Sequence, residues 1–267
     1  MALTNDLKGK KVTEMARKRG SKRRRRGRFA FLYKILAVLA ICAAVITALT
    51  MFFRVGEIEV SGNVRYTEDE VRAATGVVMD SNLYMLNKYE IQARILEELP
   101  YIETVRINRM LPDRLIVQVT ECADTYAVTQ GEVAWIFSSS GKIVGREEAA
   151  YARLLPQVRG CTLLAPSVGT KLVLEQTDEQ TARLESLLAL LNAAEESGVM
   201  GKISSYDLSQ EKVLSMDYAG RFEVQMPYKA DYGYLLTYLD VVLAQLESNE
   251  TGIIDFTVEG EAHVITN

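Results

Sequence analysis

His263 is the single histidine of this 267-residue chain. Any Ser/His/Asp relay would have to run through it. No Gly-x-Ser-x-Gly string supplies a nucleophile elbow, and Ser138, Ser139 and Ser140 stand before Gly141 as turn residues. A zinc site would have to combine His263 with Cys122 and Cys161, and no pair among them has helix or knuckle spacing. Carboxylates are plentiful, and two at the right separation could hydrolyse a wall polymer. Glu68, Asp69 and Glu70, however, fall where first-turn acids complement a helix dipole. Glu195 and Glu196 read as a solvated helix end. No glycine-rich phosphate loop is present. These residues point away from an enzyme, and no catalytic residue, cofactor or metal is expected. What remains for function is surface.

The elements that position that surface begin with a charge division. Met1–Arg28 carries 12 Lys and Arg against Asp6 and Glu14, a net +10. The rest carries 19 Lys and Arg against 33 acids, a net −14. Between them, residues 29–53 form a candidate transmembrane helix. Its one charge, Lys34, lies near the start and can snorkel toward the basic side. Ile35–Phe53 is free of charge, Gly and Pro, and a helix of that length spans roughly 28 Å, close to the hydrocarbon thickness of a bilayer. Lys22, Arg23, Arg24, Arg25, Arg26 and Arg28 immediately precede it. The positive-inside rule then expects a cytoplasmic N-terminus and an extracytoplasmic C-terminal portion. A cleaved signal peptide is the alternative, with an unusually long basic region and only Cys42-Ala43-Ala44 as a small-x-small site.

The tail 1–28 is too polar to bury a core and reads as disordered. Its arginines set topology and attract anionic lipid; no recognition fold accompanies them to argue for specific nucleic-acid binding. Cys42 lies in the span. Cys122 and Cys161 leave room for one bridge, which spacing alone does not decide.

Residues 54–122 alternate as β-α-α-β-β. In Val55–Gly62, Ile58 and Val60 face opposite to Glu57, Glu59 and Ser61. Thr67 with Glu70 makes a capping box. Val71, Ala74 and Thr75 share a helix face, and Gly76 stops that helix. Asn87 caps a second helix whose Ile91, Ile95 and Leu99 form one stripe, closed by Pro100. A hairpin follows: Val105 and Ile107 alternate with polar residues, Leu111-Pro112-Asp113 turns, and Leu115, Val117 and Val119 return. Two helices on one face of a three-stranded sheet would bury both apolar sides.

That ordered set resembles a POTRA domain. The residues carrying the resemblance are Ile58-x-Val60-x-Gly62-Asn63, Asn82-Leu83-Tyr84, Ile91…Leu99-Pro100, Val105…Arg109…Leu111-Pro112-Asp113 and Leu115–Glu121. Its place directly after a single anchor is similar to the bacterial cell-division family FtsQ/DivIB.

Residues 123–267 read as a second, mainly antiparallel α+β domain. Tyr126–Thr129, Val133–Phe137 and Lys142–Val144 are strands, and Leu155-Pro156 to Gly160 opens a loop-rich stretch. A helix begins at Asp178 with Leu184, Leu187, Leu188 and Leu191 inward, and Gly198 ends it. Ile203–Leu208, Val213–Met216 and Arg221–Gln225 follow. A second helix runs from about Ala230 to Glu247, with Leu235, Leu239, Val242, Leu243 and Leu246 inward. Ile253–Val258 and Ala262–Ile265 close the chain. Ile136-Phe137…Gly141–Val144, Leu155-Pro156, Ile203…Tyr206-Asp207-Leu208 and Gly252–Phe256 also resemble the FtsQ/DivIB C-terminal region. One departure stands out. The family often has a basic residue near the start of the last helix, where this chain has Gly233 and Tyr234, with Lys229 earlier.

The closing strands are the candidate partner surface: Ile253, Ile254, Phe256, Val258, Ala262, His263, Val264 and Ile265. A last strand with one side unpaired offers backbone groups to a partner strand; the alternative is an ordinary edge guarded by Glu259 and Glu261. The resemblance implies a non-enzymatic divisome scaffold at the septum. It would link FtsL-like and FtsB/DivIC-like partners, and septal peptidoglycan synthases indirectly. A POTRA-bearing export or assembly component fits less well, since 123–267 lacks the repeated lipid-facing strands of a barrel. A membrane-anchored wall hydrolase is the other alternative.

Overall fold

The computed structural model describes residues 26–123, 125–174, 177–258 and 260–266, with backbone alone at 26–30 and 178. Lys22, Arg23, Arg24 and Arg25, most of the expected basic tail, and Glu259 lie outside the described residues. For Arg26 and Arg28 only the helical backbone is described. The chain divides into two compact units, with the boundary in the sequence between Phe52 and Phe53.

The first unit is built on α1, Arg26–Phe52. Its segment Phe31–Phe52 is 22 residues long and apolar enough to cross a membrane, about 33 Å at 1.5 Å per residue. Leu36, Val38, Leu39 and Ile41, which point to different sides of the helix, are all exposed, so no single face is reserved for a protein core. Its threonine hydroxyls are satisfied internally. Thr47 Oγ1 donates to the Ala43 carbonyl at 2.8 Å and Thr50 Oγ1 to the Thr47 carbonyl at 2.9 Å. Satisfied polar groups are what an apolar solvent demands.

The second unit starts with β1 (Glu57–Ser61), α2 (Glu68–Ala74), α3 (Lys88–Glu98), β2 (Ile102–Met110) and β3 (Arg114–Glu121). The strands form a sheet in the order β1-β3-β2, with β1 parallel and β2 antiparallel to β3. Ile58, Val60, Val105, Ile107, Leu115, Val117 and Val119 meet Val71, Ala74, Ile91 and Ile95 in one core, which Leu83 completes. The capping box at Thr67 is formed in both directions. Phe53 belongs to this module and not to α1: its carbonyl accepts the Leu83 N–H at 2.9 Å. The Glu121 carboxylate accepts the N–H groups of Val64, Arg65 and Tyr66 at 3.0, 2.7 and 3.1 Å. It thereby ties the end of β3 to the loop entering α2. Thr67→Ala is expected to lower the stability of the second unit by about 1 kcal/mol, seen as a lower urea midpoint with an unchanged denaturant slope.

A nine-stranded sheet follows. Its strands are β4 (Thr125–Gln130), β5 (Val133–Ser138), β6 (Ile143–Glu148), β7 (Gln157–Arg159), β8 (Ile203–Asp207), β9 (Val213–Tyr218), β10 (Phe222–Pro227), β11 (Gly252–Asp255) and β12 (His263–Thr266). They are ordered β12-β11-β10-β9-β8-β7-β4-β5-β6. Five ladders are antiparallel; β4 with β7, β7 with β8, and β10 with β11 are parallel. Helices α4 (Asp178–Glu196) and α5 (Tyr232–Leu243) pack on this sheet.

Strand β7 stands where a loop was expected. With three residues and one inward side chain, Val158, it is too short to display a period. The deepest residues of α4 are Leu187, Leu190, Leu191 and Ala194, while Leu184 and Leu188 are partly buried. Helix α5 buries Tyr232, Leu236 and Leu239 and stops earlier than expected. The carbonyls of Glu247 and Glu250 accept from the Arg221 guanidinium, Nη2 reaching them at 2.7 and 2.9 Å. That capture holds the segment after α5 in turns.

Candidate docking edge and the joint behind it

Strand β12 is the last of the sheet, and only β11 pairs with it among the described residues. The register is Ile253↔Ile265, Ile254↔Val264 and Asp255↔His263. On β11, Gly252 and Phe256 donate their N–H groups toward β10, to Arg221 and Gln225 at 3.1 and 2.9 Å. Backbone groups alternate sides along a strand, so Ile253 and Asp255 turn theirs to β12. Ile265 and His263 answer them. The N–H and C=O of Val264 and Thr266 are therefore directed outward, where no described strand meets them.

Of the expected partner residues, Ile254 and Phe256 are buried in the core and Ile253 is half-buried. Ala262 and Val264 pack partly against that core. Val258 is 47 % exposed and Ile265 58 %. His263 is exposed and lies 3.5 Å from the Glu261 carboxylate. Strand β11 is paired on both sides, so of these two closing strands it is β12 that presents unpaired backbone.

Beside this edge runs a groove of about 440 Å³ between α5 and the segment joining β11 to β12. Tyr234, Tyr238 and Phe256 form an aromatic row in it, with centroid separations of 6.2 and 5.7 Å. Asp231, which caps α5, and Glu261 supply its charge. No cation is among the described residues that line the groove. The α5 wall escaped sequence reasoning, which took Tyr234 only as a departure from a pattern.

The turn serines weighed as nucleophiles hydrogen-bond within the fold. Ser138 and Ser140 lie 3.0 Å apart, and Ser139 Oγ donates to Glu195 at 2.6 Å. Among the described residues no three His, Cys, Asp or Glu side chains could hold a metal ion. Cys122 and Cys161 are free thiols. Burial and the Glu103 carboxylate push Cys122 up to about 12; burial and Asp207 push Cys161 up to about 11. Both are therefore poor nucleophiles at neutral pH.

Cys122 belongs to a polar joint between the two sheets that sequence reasoning missed. Lys142, in the turn between β5 and β6, donates to the Leu96 and Ile102 carbonyls at 3.1 and 3.0 Å. Cys122 Sγ donates to Glu103 Oε2 at 3.2 Å. Burial would raise the Glu103 carboxyl, but hydrogen bonds from Ser140, Cys122 and Ser138 and the Lys142 charge outweigh it. They hold the carboxyl below its ordinary value. Burial lowers Lys142, partly offset by Cys122 and Glu103.

The fold and the edge define a class: an apolar helix, then a βααββ module, then a larger sheet ending in an open strand. The family model for a POTRA domain of the FtsQ type matches residues 53–121. The cell division protein FtsQ of Syntrophotalea carbinolica is 24 % identical over 208 residues, covering 77 % of this chain and 70 % of the relative. FtsQ of Corynebacterium glutamicum is 23 % identical over 177 residues, 66 % of this chain and 78 % of the relative. DivIB of Clostridium tetani is 21 % identical over 141 residues, 53 % of this chain and 52 % of the relative. These matches support the FtsQ/DivIB family of cell division proteins for this chain.

Proposed function

We propose that this protein is a non-enzymatic divisome scaffold, anchored by α1 with its N-terminus in the cytoplasm. It acts at the division septum. The POTRA domain recruits, and the nine-stranded domain receives an FtsB/DivIC-like partner, with FtsL beside it. Septal peptidoglycan synthases are reached through these partners. The observation that carries this reading is the outward backbone of Val264 and Thr266 on an edge strand flanked by an apolar groove. An extended partner segment would add a tenth strand there. Val258 and Ile265 would contact its side chains. Lys22–Arg28 would hold the topology and meet anionic lipid.

Val264→Pro tests this directly. Proline on an edge strand is tolerated where its N–H faces solvent, so folding should change by less than about 1 kcal/mol while the donor to the partner disappears. Affinity for the FtsB/DivIC-like protein of the same cell should fall at least about tenfold. Unchanged affinity in a folded variant would discard the strand-addition reading. Depletion in the native cell should produce filaments; a normal septum would count against the scaffold role.

A further inference from the structure

Helix α1 ends at Phe52, and Phe53 already packs against the core of the βααββ module. The sequence leaves no linker between them. In a bilayer, the 22 apolar residues of the span use up the roughly 30 Å of hydrocarbon, so Phe53 falls at headgroup depth. Whatever packs around Phe53–Gly56 is kept near that depth by the chain.

Two loops pack there. The segment before α3 runs antiparallel to the entering chain: the Val55 N–H donates to the Ser81 carbonyl and the Asp80 N–H to the Val55 carbonyl, both at 2.9 Å. The Tyr84 ring stands edge-on to Phe53, with centroids 5.2 Å apart. The turn between β2 and β3 lies at the same end of the sheet, where the Asp113 carbonyl accepts the Gly56 N–H at 2.8 Å. Both loops hold large apolar side chains in the open. Val78, Met79, Tyr84 and Met85 are exposed in the first, Met110 and Leu111 at the second, and Met85 reaches 82 %. Exposed apolar residues scattered singly are ordinary; a cluster at one end of a module marks a contact surface. At the opposite end of the sheet, the Gly62–Tyr66 loop exposes Val64 alone among its large apolar side chains.

We infer that this apolar end of the module docks on the lipid surface itself. Met85 and Leu111 enter the boundary between headgroups and acyl chains, Tyr84 lies at headgroup level, and the exposed Arg54 meets lipid phosphate. Asp80 and Asp113, also exposed at this end, stay in water at its rim. Continuity with the span selects lipid as the occupant: the patch begins one residue beyond the apolar helix. Each contact is weak, but the covalent tether makes adsorption intramolecular, so a small apolar area suffices. The inference rests on the anchoring by α1 proposed above.

The test uses the full chain in vesicles of phosphatidylethanolamine and phosphatidylglycerol. A fluorescent non-natural amino acid replaces Leu49, Val64, Met85 or Leu111, one at a time, and is quenched either by doxyl lipid or by aqueous iodide. Probes at Leu49, Met85 and Leu111 should be quenched by the lipid, and the probe at Val64 by iodide. Val78→Glu combined with Met85→Glu should cut lipid quenching at Leu111 at least about threefold, with an unchanged thermal unfolding profile. Iodide quenching at Met85 and Leu111, with Leu49 still quenched by lipid, would leave the anchor standing and overturn the docking. Equal lipid quenching at Val64 and Met85 would mean adsorption without a preferred end, and would overturn it too. Iodide quenching at Leu49 would overturn the anchor, and the docking with it.

Discussion

Gly252→Ala is expected to detach β12 and abolish partner docking while leaving the POTRA domain folded. Gly252 has φ +152, and a Cβ there would lie 1.9 Å from the Ile265 carbonyl oxygen. The obstacle is backbone, so no side-chain rotation relieves it. Either β11 leaves its parallel register with β10 or β12 moves away. The strained backbone alone costs about 1–3 kcal/mol, and β12, exposed along most of its length, is the cheaper element to lose. Hydrogen exchange should then show fast amides at Ile265 and His263, with slow amides retained at Arg106 and Val117. Normal protection at β12, together with normal partner affinity, would mean that the edge does not depend on this close approach.

Lys142→Met is expected to uncouple the two sheets. The substitution keeps the length of the side chain and removes its charge. The Leu96 and Ile102 carbonyls lose a charged donor, and Glu103 loses its nearby cation. A charge-assisted hydrogen bond contributes about 1.5–3 kcal/mol. Half-burial of the group places the loss near 2 kcal/mol. Limited proteolysis should find a new cut near 121–125, and small-angle scattering should broaden the distance distribution. An unchanged scattering curve would show that apolar contact alone holds the joint.

The joint also has a pH signature. The Glu103 carboxyl is lower in the folded than in the unfolded chain. Its contribution is therefore complete above the unfolded glutamate value and fades as pH falls through the folded one. In Lys142→Met that acid-limb slope should shrink.

The POTRA domain was legible because its signals are local and agree with one another. Thr67 with Glu70, Asn87 with Glu90, and the alternation in Val105–Val119 each require neighbours within a few residues. The nine-stranded sheet was less legible. Its parallel ladders join β4 to β7 and β7 to β8 across long stretches of sequence, and nothing in Gln157–Arg159 announces that partner. The last strands were visible as strands. Which backbone groups of β12 face outward depends on how β11 pairs with β10, a fact no local pattern carries. The joint was invisible for the same reason. Glu103 and Lys142 are ordinary charges until folding brings a turn of one sheet against the end of the other.

The strand order places β12 at one end of the nine-stranded sheet and β5 and β6, which bracket the Lys142 turn, at the other. Eight inter-strand steps of roughly 4.8 Å separate the two margins by about 38 Å. A load hung on β12 would thus travel crosswise, through ladders drawn open rather than sheared. Ladders under such tension part in sequence unless something spans them. The helices α4 and α5, lying over several strands and sharing one core with them, act as the crossbrace that lets a thin sheet carry tension between its margins.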